Sequence, residues 1–408
     1  MTMLNPALRA DALHSPRVSL IASTLCFIVI LLDGYDTGVI SYTAPMLAHD
    51  WNLASAAFTP AFVATSLGAV VGYVSCGALA ARFGHRLLVT ASVAFFGLMS
   101  LATLWATDMT SLTVLRFVTA LGLGGAIPTA IALASAHAAA NRRERTATIV
   151  TVAILVGGTI GGYISVPILQ RWGWPGPYVL GGVVPLLLVP ALVAWLPDAP
   201  VRGGAGSPAA LFAPGLAVST VLLWAMALLA FMQIYSFTYW LPLLLTSFGF
   251  DRASASLGNT YTGMGAIAGV FLMALAVGRV GSARYLAAAF TAGAGLVLLF
   301  AWGPLPNPAV PALLVLSGAG LGIGGVGQAA IASMLYPAAL RTTGVGWSSA
   351  MGRIGSIVGP GIAGFFLHLQ WPARDIIAIS AVPAFGAAAA ALAIFLRTRR
   401  GPSPETSI

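Results

Sequence analysis

Asp33 and Asp36 stand three residues apart inside a long apolar run that begins near Val18. On a helix of 3.6 residues per turn they share one face. An ionised carboxylate in the hydrocarbon of a bilayer costs about 2.5–3.5 kcal/mol even on insertion scales. Two such charges would also repel each other. The pair must therefore face a wet cavity, meet a cation or hold a proton. Sixteen residues separate Asp33 from Arg17, which places the carboxyl about 24 Å from the inner edge, in the outer half of a membrane.

Two arginines also lie inside apolar runs. Arg116 is eight residues past Asp108, about 12 Å deep and close to the depth of the aspartates. It either neutralises one of them and locks two helices together, or belongs to a cluster whose carboxylates take up and release a proton. Arg353 lies about 18 Å from the inner edge of its helix, and the apolar spans of the second half offer it no acid. A substrate carboxylate is one expected partner, because a guanidinium grips it bidentately. Backbone carbonyls with water, or a reach across to Asp33 or Asp36, are the others. Tyr35, Gln328, Tyr239, Trp240 and Tyr261 complete the candidate substrate contacts, although such aromatics also serve as membrane-interface anchors.

These residues need a scaffold, and the composition says which kind. The chain has 408 residues, 59% hydrophobic and only 7% charged. A soluble domain carries about 25% charged residues, so lipid must be the solvent for most of this chain. Apolar runs long enough to span occur at roughly 18–42, 56–80, 87–106, 111–136, 146–169, 177–196, 214–245, 255–277, 285–303, 309–335, 342–367 and 376–396. The ninth and tenth are separated only by Gly303-Pro304-Leu305-Pro306-Asn307-Pro308. The expected fold is an all-α membrane protein of twelve transmembrane helices in two pseudo-symmetric six-helix bundles. Its divisions are an N-terminal segment 1–17, a bundle 18–196, a linker 197–213, a bundle 214–396 and a tail 397–408.

Every basic residue is arginine. With the N-terminus inside, fourteen fall on the cytoplasmic side and only Arg171, Arg252 and Arg374 on the other. That bias places both termini in the cytoplasm. The arginines form no continuous basic face, so the net charge of +9 does not point to nucleic acid. The first apolar run is too long for a signal h-region and reads as a retained helix. Cys26 and Cys76 read as small buried hydrophobes. No Walker A motif, zinc spacing or catalytic set is present, so neither an enzyme nor a cofactor is expected. His137, at the end of the fourth helix, reads as a surface residue.

The halves repeat one another. Leu121-Gly122-Leu123-Gly124-Gly125-Ala126 matches Leu321-Gly322-Ile323-Gly324-Gly325-Val326; Arg82-Phe83-Gly84 matches Arg279-Val280-Gly281; Arg145-Thr146 matches Arg341-Thr342. Helices six apart have the same orientation, so this is a parallel duplication.

Three segments resemble the major facilitator superfamily, and within it the aromatic acid:proton symporters. They are Asp33-Gly34-Tyr35-Asp36-Thr37, Arg116-Phe117 through Gly125, and Tyr336-Pro337 through Arg341-Thr342-Thr343-Gly344-Val345-Gly346-Trp347 with Gly352-Arg353-Ile354-Gly355. The resemblance implies import of an aromatic carboxylate such as a hydroxybenzoate, driven by protons, by a multi-pass monomer of a bacterial inner membrane. Asp33, Asp36 and Arg116 would couple the proton and Arg353 would hold the substrate. Arg82, Arg86, Arg145 and Arg341 would belong to the gate. Two positions depart from the pattern. Ala81 stands where the superfamily's loop has Asp, and Ala136 stands where the family has Glu. Both lost acids belong to the cytoplasmic gate, so weaker gate contacts are expected.

An exporter is the competing transport reading. It is disfavoured because helix five carries Gly157-Gly158 rather than the Gly-Pro motif of drug exporters. A non-transporting sensor is disfavoured by the retained intramembrane charges. Restoring both acids, by Ala81→Asp with Ala136→Glu, is expected to lower thiol-reagent labelling of single cysteines placed at the inner gate. Unchanged labelling contradicts the weakened gate.

Overall fold

The computed structural model describes residues 16–139, 142–198, 207–303 and 307–400. Twelve helices among them are long and apolar enough to cross a membrane. They are α1 (Pro16–Asp50), α2 (Ser55–Phe83), α3 (His85–Trp105), α4 (Met109–His137), α5 (Arg145–Trp172), α6 (Pro175–Trp195), α7 (Ala217–Thr246), α8 (Ser254–Val280), α9 (Ser282–Trp302), α10 (Val310–Leu335), α11 (Thr343–His368) and α12 (Ala373–Thr398). The expected all-helical class and helix number hold, including the break between α9 and α10. Pro304–Pro306, Arg9, Arg202, residues 199–206 of the 197–213 linker and the tail beyond residue 400 lie outside the described residues.

The main difference from expectation is the length of α1. It runs 35 residues, about 52 Å, against a hydrocarbon core of about 30 Å. Asp33 is therefore the middle residue of its helix. The added turns persist because Tyr42, Thr43, Ala44 and Leu47 are buried, and neighbouring helices accommodate Pro45 within them. In contrast, α10 divides into Val310–Leu321 and Gly324–Leu335. The matching glycine stretch of α4 continues unbroken. A sequence repeat has thus become two different backbones.

The chain forms two compact units, Met1–Arg202 with Phe250–Thr260 and Gly203–Gly249 with Tyr261–Ile408. In the first, α1 packs on α5 and α4, α2 on α4, and α3 on α4 and α6. One end of its core is aliphatic, with Cys26, Val29, Ile30, Val93, Phe96, Leu123, Leu133 and Leu192. The other is aromatic, built on Tyr35, Val39, Tyr42 and Tyr178. Asp33 and Asp36 lie where the two meet. The short segment Phe250–Thr260 belongs to this unit through Ser256 Oγ, which donates to the Gly162 carbonyl at 3.0 Å, and Thr260 Oγ1, which donates to that of Thr159 at 3.0 Å. In the second unit α7 packs on α11 and α12, and α9 on α10 and α12.

Glycines set the closest approaches. A methyl on Gly157 would collide with the Leu31 carbonyl, and one on Gly34 with that of Ile154. In the second unit Gly355 and Gly359 meet the carbonyls of Leu228 and Met232 in the same way. The α1–α5 crossing and the α7–α11 crossing are therefore built alike, with small residues letting backbones touch.

Gly157→Ala is expected to destabilise the first unit by about 1–3 kcal/mol, the usual cost of overpacking. Gly158→Ala should be nearly neutral, because its nearest neighbours would lie at an ordinary 3.7 Å. Thermal unfolding of the two detergent-purified variants checks the contrast.

Candidate functional site

In the first unit, Asp36 and Arg116 are both fully buried and form an ion pair, Oδ2 to Nη1 at 3.3 Å. Four helices complete it. Ser100 Oγ of α3 donates to Asp36 Oδ1 at 2.9 Å. Arg116 Nη2 donates to Thr103 Oγ1 of α3 at 3.3 Å and to Thr119 Oγ1 on its own helix at 3.0 Å. The ring of Tyr178, on α6, lies 5.0 Å from the guanidinium carbon, within cation–π range. Tyr178 in turn shares a 3.1 Å hydrogen bond with Thr43 Oγ1 of α1. Two more tyrosines brace the surroundings: Tyr35 donates to the Pro177 carbonyl and Tyr42 to that of Gly158, each at 2.8 Å.

Asp33, one turn earlier on α1, is almost as deeply buried. It accepts a 3.4 Å hydrogen bond from Thr37 Oγ1. The two aspartates share a face, as their spacing predicts, yet the close ion pair with Arg116 is made by Asp36. Neutralising Asp36 would leave a buried guanidinium without its counter-charge, which is strongly unfavourable. Asp33 can change protonation without breaking that pair.

In the second unit, Arg353 is half-buried on α11. Its Nη1 donates to the hydroxyl of Tyr235 on α7 at 3.1 Å. Tyr235 is also half-buried. Its ring stacks on Phe231 at 6.0 Å between centroids and meets Tyr239 edge-on at 5.8 Å. Gln328 is buried on α10 and donates to Ser349 Oγ at 2.8 Å. Trp240 is buried and donates its indole N–H to the Pro360 carbonyl at 3.0 Å, tying α7 to α11. Tyr261 is half-buried on α8. Of the sequence candidates in this unit, Arg353 and Tyr239 therefore meet around Tyr235, while Trp240 serves a helix crossing.

The four arginines expected at a gate have separate surroundings. Arg82 is exposed and lies 5.2 Å from the Phe83 ring. Arg86 bonds the Val193 carbonyl through its guanidinium, and its backbone N–H donates to Asp198 Oδ1 at 3.3 Å. Arg145 and Arg341 are exposed. Asp198, just past α6, thus brings a carboxylate to the same loop that has Ala81 in place of an acid. His137 corrects an expectation: it is buried rather than on the surface, with Nδ1 2.9 Å from the Leu133 carbonyl one turn back. Cys26 and Cys76 are buried free thiols.

Ser100, Thr103, Thr119, Tyr178, Tyr235 and Asp198 were not evident from sequence. The hydroxyl residues look like ordinary small packing residues of a membrane helix. Tyr235 did carry a signal, because it lies one turn before Tyr239 on the same helix face.

The family model of the Major Facilitator Superfamily matches residues 26–327. A 4-hydroxybenzoate transporter of Acinetobacter baylyi is 30% identical, covering 94% of this chain and 92% of the relative. A 3-(3-hydroxy-phenyl)propionate transporter of Escherichia coli is 34% identical over 92% of this chain and 93% of its own. A gallate transporter of Pseudomonas putida is 30% identical over 90% of each. Among solved structures, an inward-facing bacterial homolog of the human lysosomal transporter Spinster superposes with a TM-score of 0.74 at 15% identity, over 96% of this chain and all of the other.

Arg116→Leu alone is expected to cost about 3–5 kcal/mol, because it strands the Asp36 charge. Adding Asp36→Leu should recover much of that loss, since a buried pair replaced by apolar residues is often close to neutral. Thermal unfolding of the single and double variants, purified in detergent, measures the difference.

Proposed function

We infer the function of this chain from the fact that it belongs to the Major Facilitator Superfamily, a family of transporters and not of enzymes. The reading is a secondary importer of a small aromatic carboxylate, such as a hydroxybenzoate, driven by co-transported protons. It places the chain in a bacterial inner membrane as a multi-pass monomer with both termini in the cytoplasm. The observation that carries it is the half-buried Arg353 guanidinium set beside the Phe231, Tyr235 and Tyr239 rings. A planar cation next to aromatic faces suits an anion on an aromatic ring. The chain's similarity over nearly its whole length to transporters named for 4-hydroxybenzoate, 3-(3-hydroxy-phenyl)propionate and gallate supports the substrate class.

The mechanism divides the intramembrane charges. Arg353 holds the substrate carboxylate. Asp33 takes and releases the proton. Asp36 and Arg116 keep their pair throughout and fix the rotation of α1, so that Asp33 presents its carboxyl at a constant position. Alternating access then exposes the loaded site to one side and then the other. Arg82, Arg86, Arg145 and Arg341 act at the gate, with Asp198 supplying an acid near Arg86.

Uptake of labelled 4-hydroxybenzoate into proteoliposomes tests this. Accumulation is expected only when the outside is more acidic than the lumen. Asp33→Asn should abolish gradient-driven accumulation while leaving exchange of internal for external 4-hydroxybenzoate within about threefold of wild type, since the variant mimics the protonated carboxyl. Wild-type uptake that simply equilibrates, whatever the gradient, rules out symport. Intact gradient-driven accumulation in Asp33→Asn removes that residue from the coupling step.

A further inference from the structure

Tyr235 occupies an unusual position for a residue that only packs. Its hydroxyl accepts from Arg353 at 3.1 Å. In that role the phenol keeps its own proton and can donate it. The cation drawing on the oxygen also makes the remaining O–H a stronger donor. A guanidinium carries five N–H donors, so the bond to Tyr235 does not exhaust it. Both side chains are half-buried rather than sealed. Each therefore keeps surface that is not covered by the rest of the protein.

The ring is held as firmly as the hydroxyl. Phe231 and Tyr235 are four residues apart on α7 and nearly parallel, with 20° between their planes, while Tyr239 meets the Tyr235 ring edge-on at 63°. Phe231 is itself seated on Gly352 of α11, the residue before Arg353. A methyl there would come to 3.0 Å of its ring. The glycine thus lets the aromatic row lie against the helix that carries the cation. The two features the site needs, a fixed plane and a fixed charge, come from one contact between α7 and α11.

We propose that Tyr235 is a direct substrate ligand: its hydroxyl donates to the same carboxylate that Arg353 grips, and its ring sets the plane on which the ring of the acid lies. This rests on the transport reading above. It adds the element that distinguishes aromatic from saturated acids of equal charge. Arginine alone would take any carboxylate. A ring clamped at a fixed angle rewards a flat partner, through stacking that a puckered ring does not reproduce.

The test is uptake of labelled 4-hydroxybenzoate into proteoliposomes, competed by unlabelled 4-hydroxybenzoate and by cyclohexanecarboxylate. Tyr235→Phe keeps the ring and removes the hydroxyl. It is expected to raise the half-saturating concentration of both acids by about tenfold or more, the usual effect of losing a hydrogen bond to a charged group, with the maximal rate unchanged. Tyr235→Leu should weaken 4-hydroxybenzoate further, by about fivefold, and cyclohexanecarboxylate no further. A Tyr235→Phe protein with wild-type half-saturation, or one that loses maximal rate alone, overturns the proposal and leaves the transport reading standing. A wild-type protein that takes up no 4-hydroxybenzoate overturns the transport reading, and this proposal with it.

Discussion

The pairing of Asp36 with Arg116 is the constraint around which the first unit is organised. Two full charges with no exposure to solvent are tolerated only if their remaining hydrogen-bonding capacity is met inside the protein. Meeting most of it takes Ser100 and Thr103 from α3, Thr119 from α4 and the Tyr178 ring from α6, while Arg116 Nε has no hydrogen-bond partner among the described residues. One electrostatic requirement therefore fixes the relative rotation of four helices. It also fixes Asp33, because a residue one turn away on the same rigid helix cannot turn independently.

The second unit repeats the scaffold without repeating the charges. Leu31 and Leu228 make equivalent contacts with Gly157 and Gly355. Carrying that correspondence along the helix sets Asp33 against Ala230 and Asp36 against Gln233. Gln233 is buried, but it is neutral. Duplication has preserved the close helix crossings, which depend on backbone shape and the absence of a Cβ. The ionisable groups have diverged, giving carboxylates to one copy and a cation, Arg353 with Tyr235, to the other.

The loop between α2 and α3 shows how lost acids are offset. Ala81 and Ala136 remove the two carboxylates expected near the gate arginines. Asp198 reaches the start of α3 from beyond α6 and accepts from the Arg86 backbone N–H. A carboxylate at a helix N-terminus also opposes the positive end of the helix dipole. The acid has a different origin in the chain and acts on the backbone as well as the charge. The loop retains an acidic contact although its own motif lacks one.

Composition alone was enough to identify a membrane protein, since a chain with 7% charged residues cannot cover a water-exposed surface. The twelve spans and the duplication were also legible, because apolar length and glycine spacing are local properties. So was the presence of Asp33, Asp36, Arg116 and Arg353 within apolar spans, since such charge is rare whatever surrounds it. What sequence could not decide was which aspartate meets the arginine. Both satisfy the same periodicity, and the choice depends on how α1 rotates against α3, α4 and α6. Nor could it show that Tyr235 meets Arg353, a contact that exists only because α7 and α11 approach closely, with Phe231 seated on Gly352. Charge and periodicity are written along the chain; the partner of each charge is set by distances between helices, and those arise only when the helices pack.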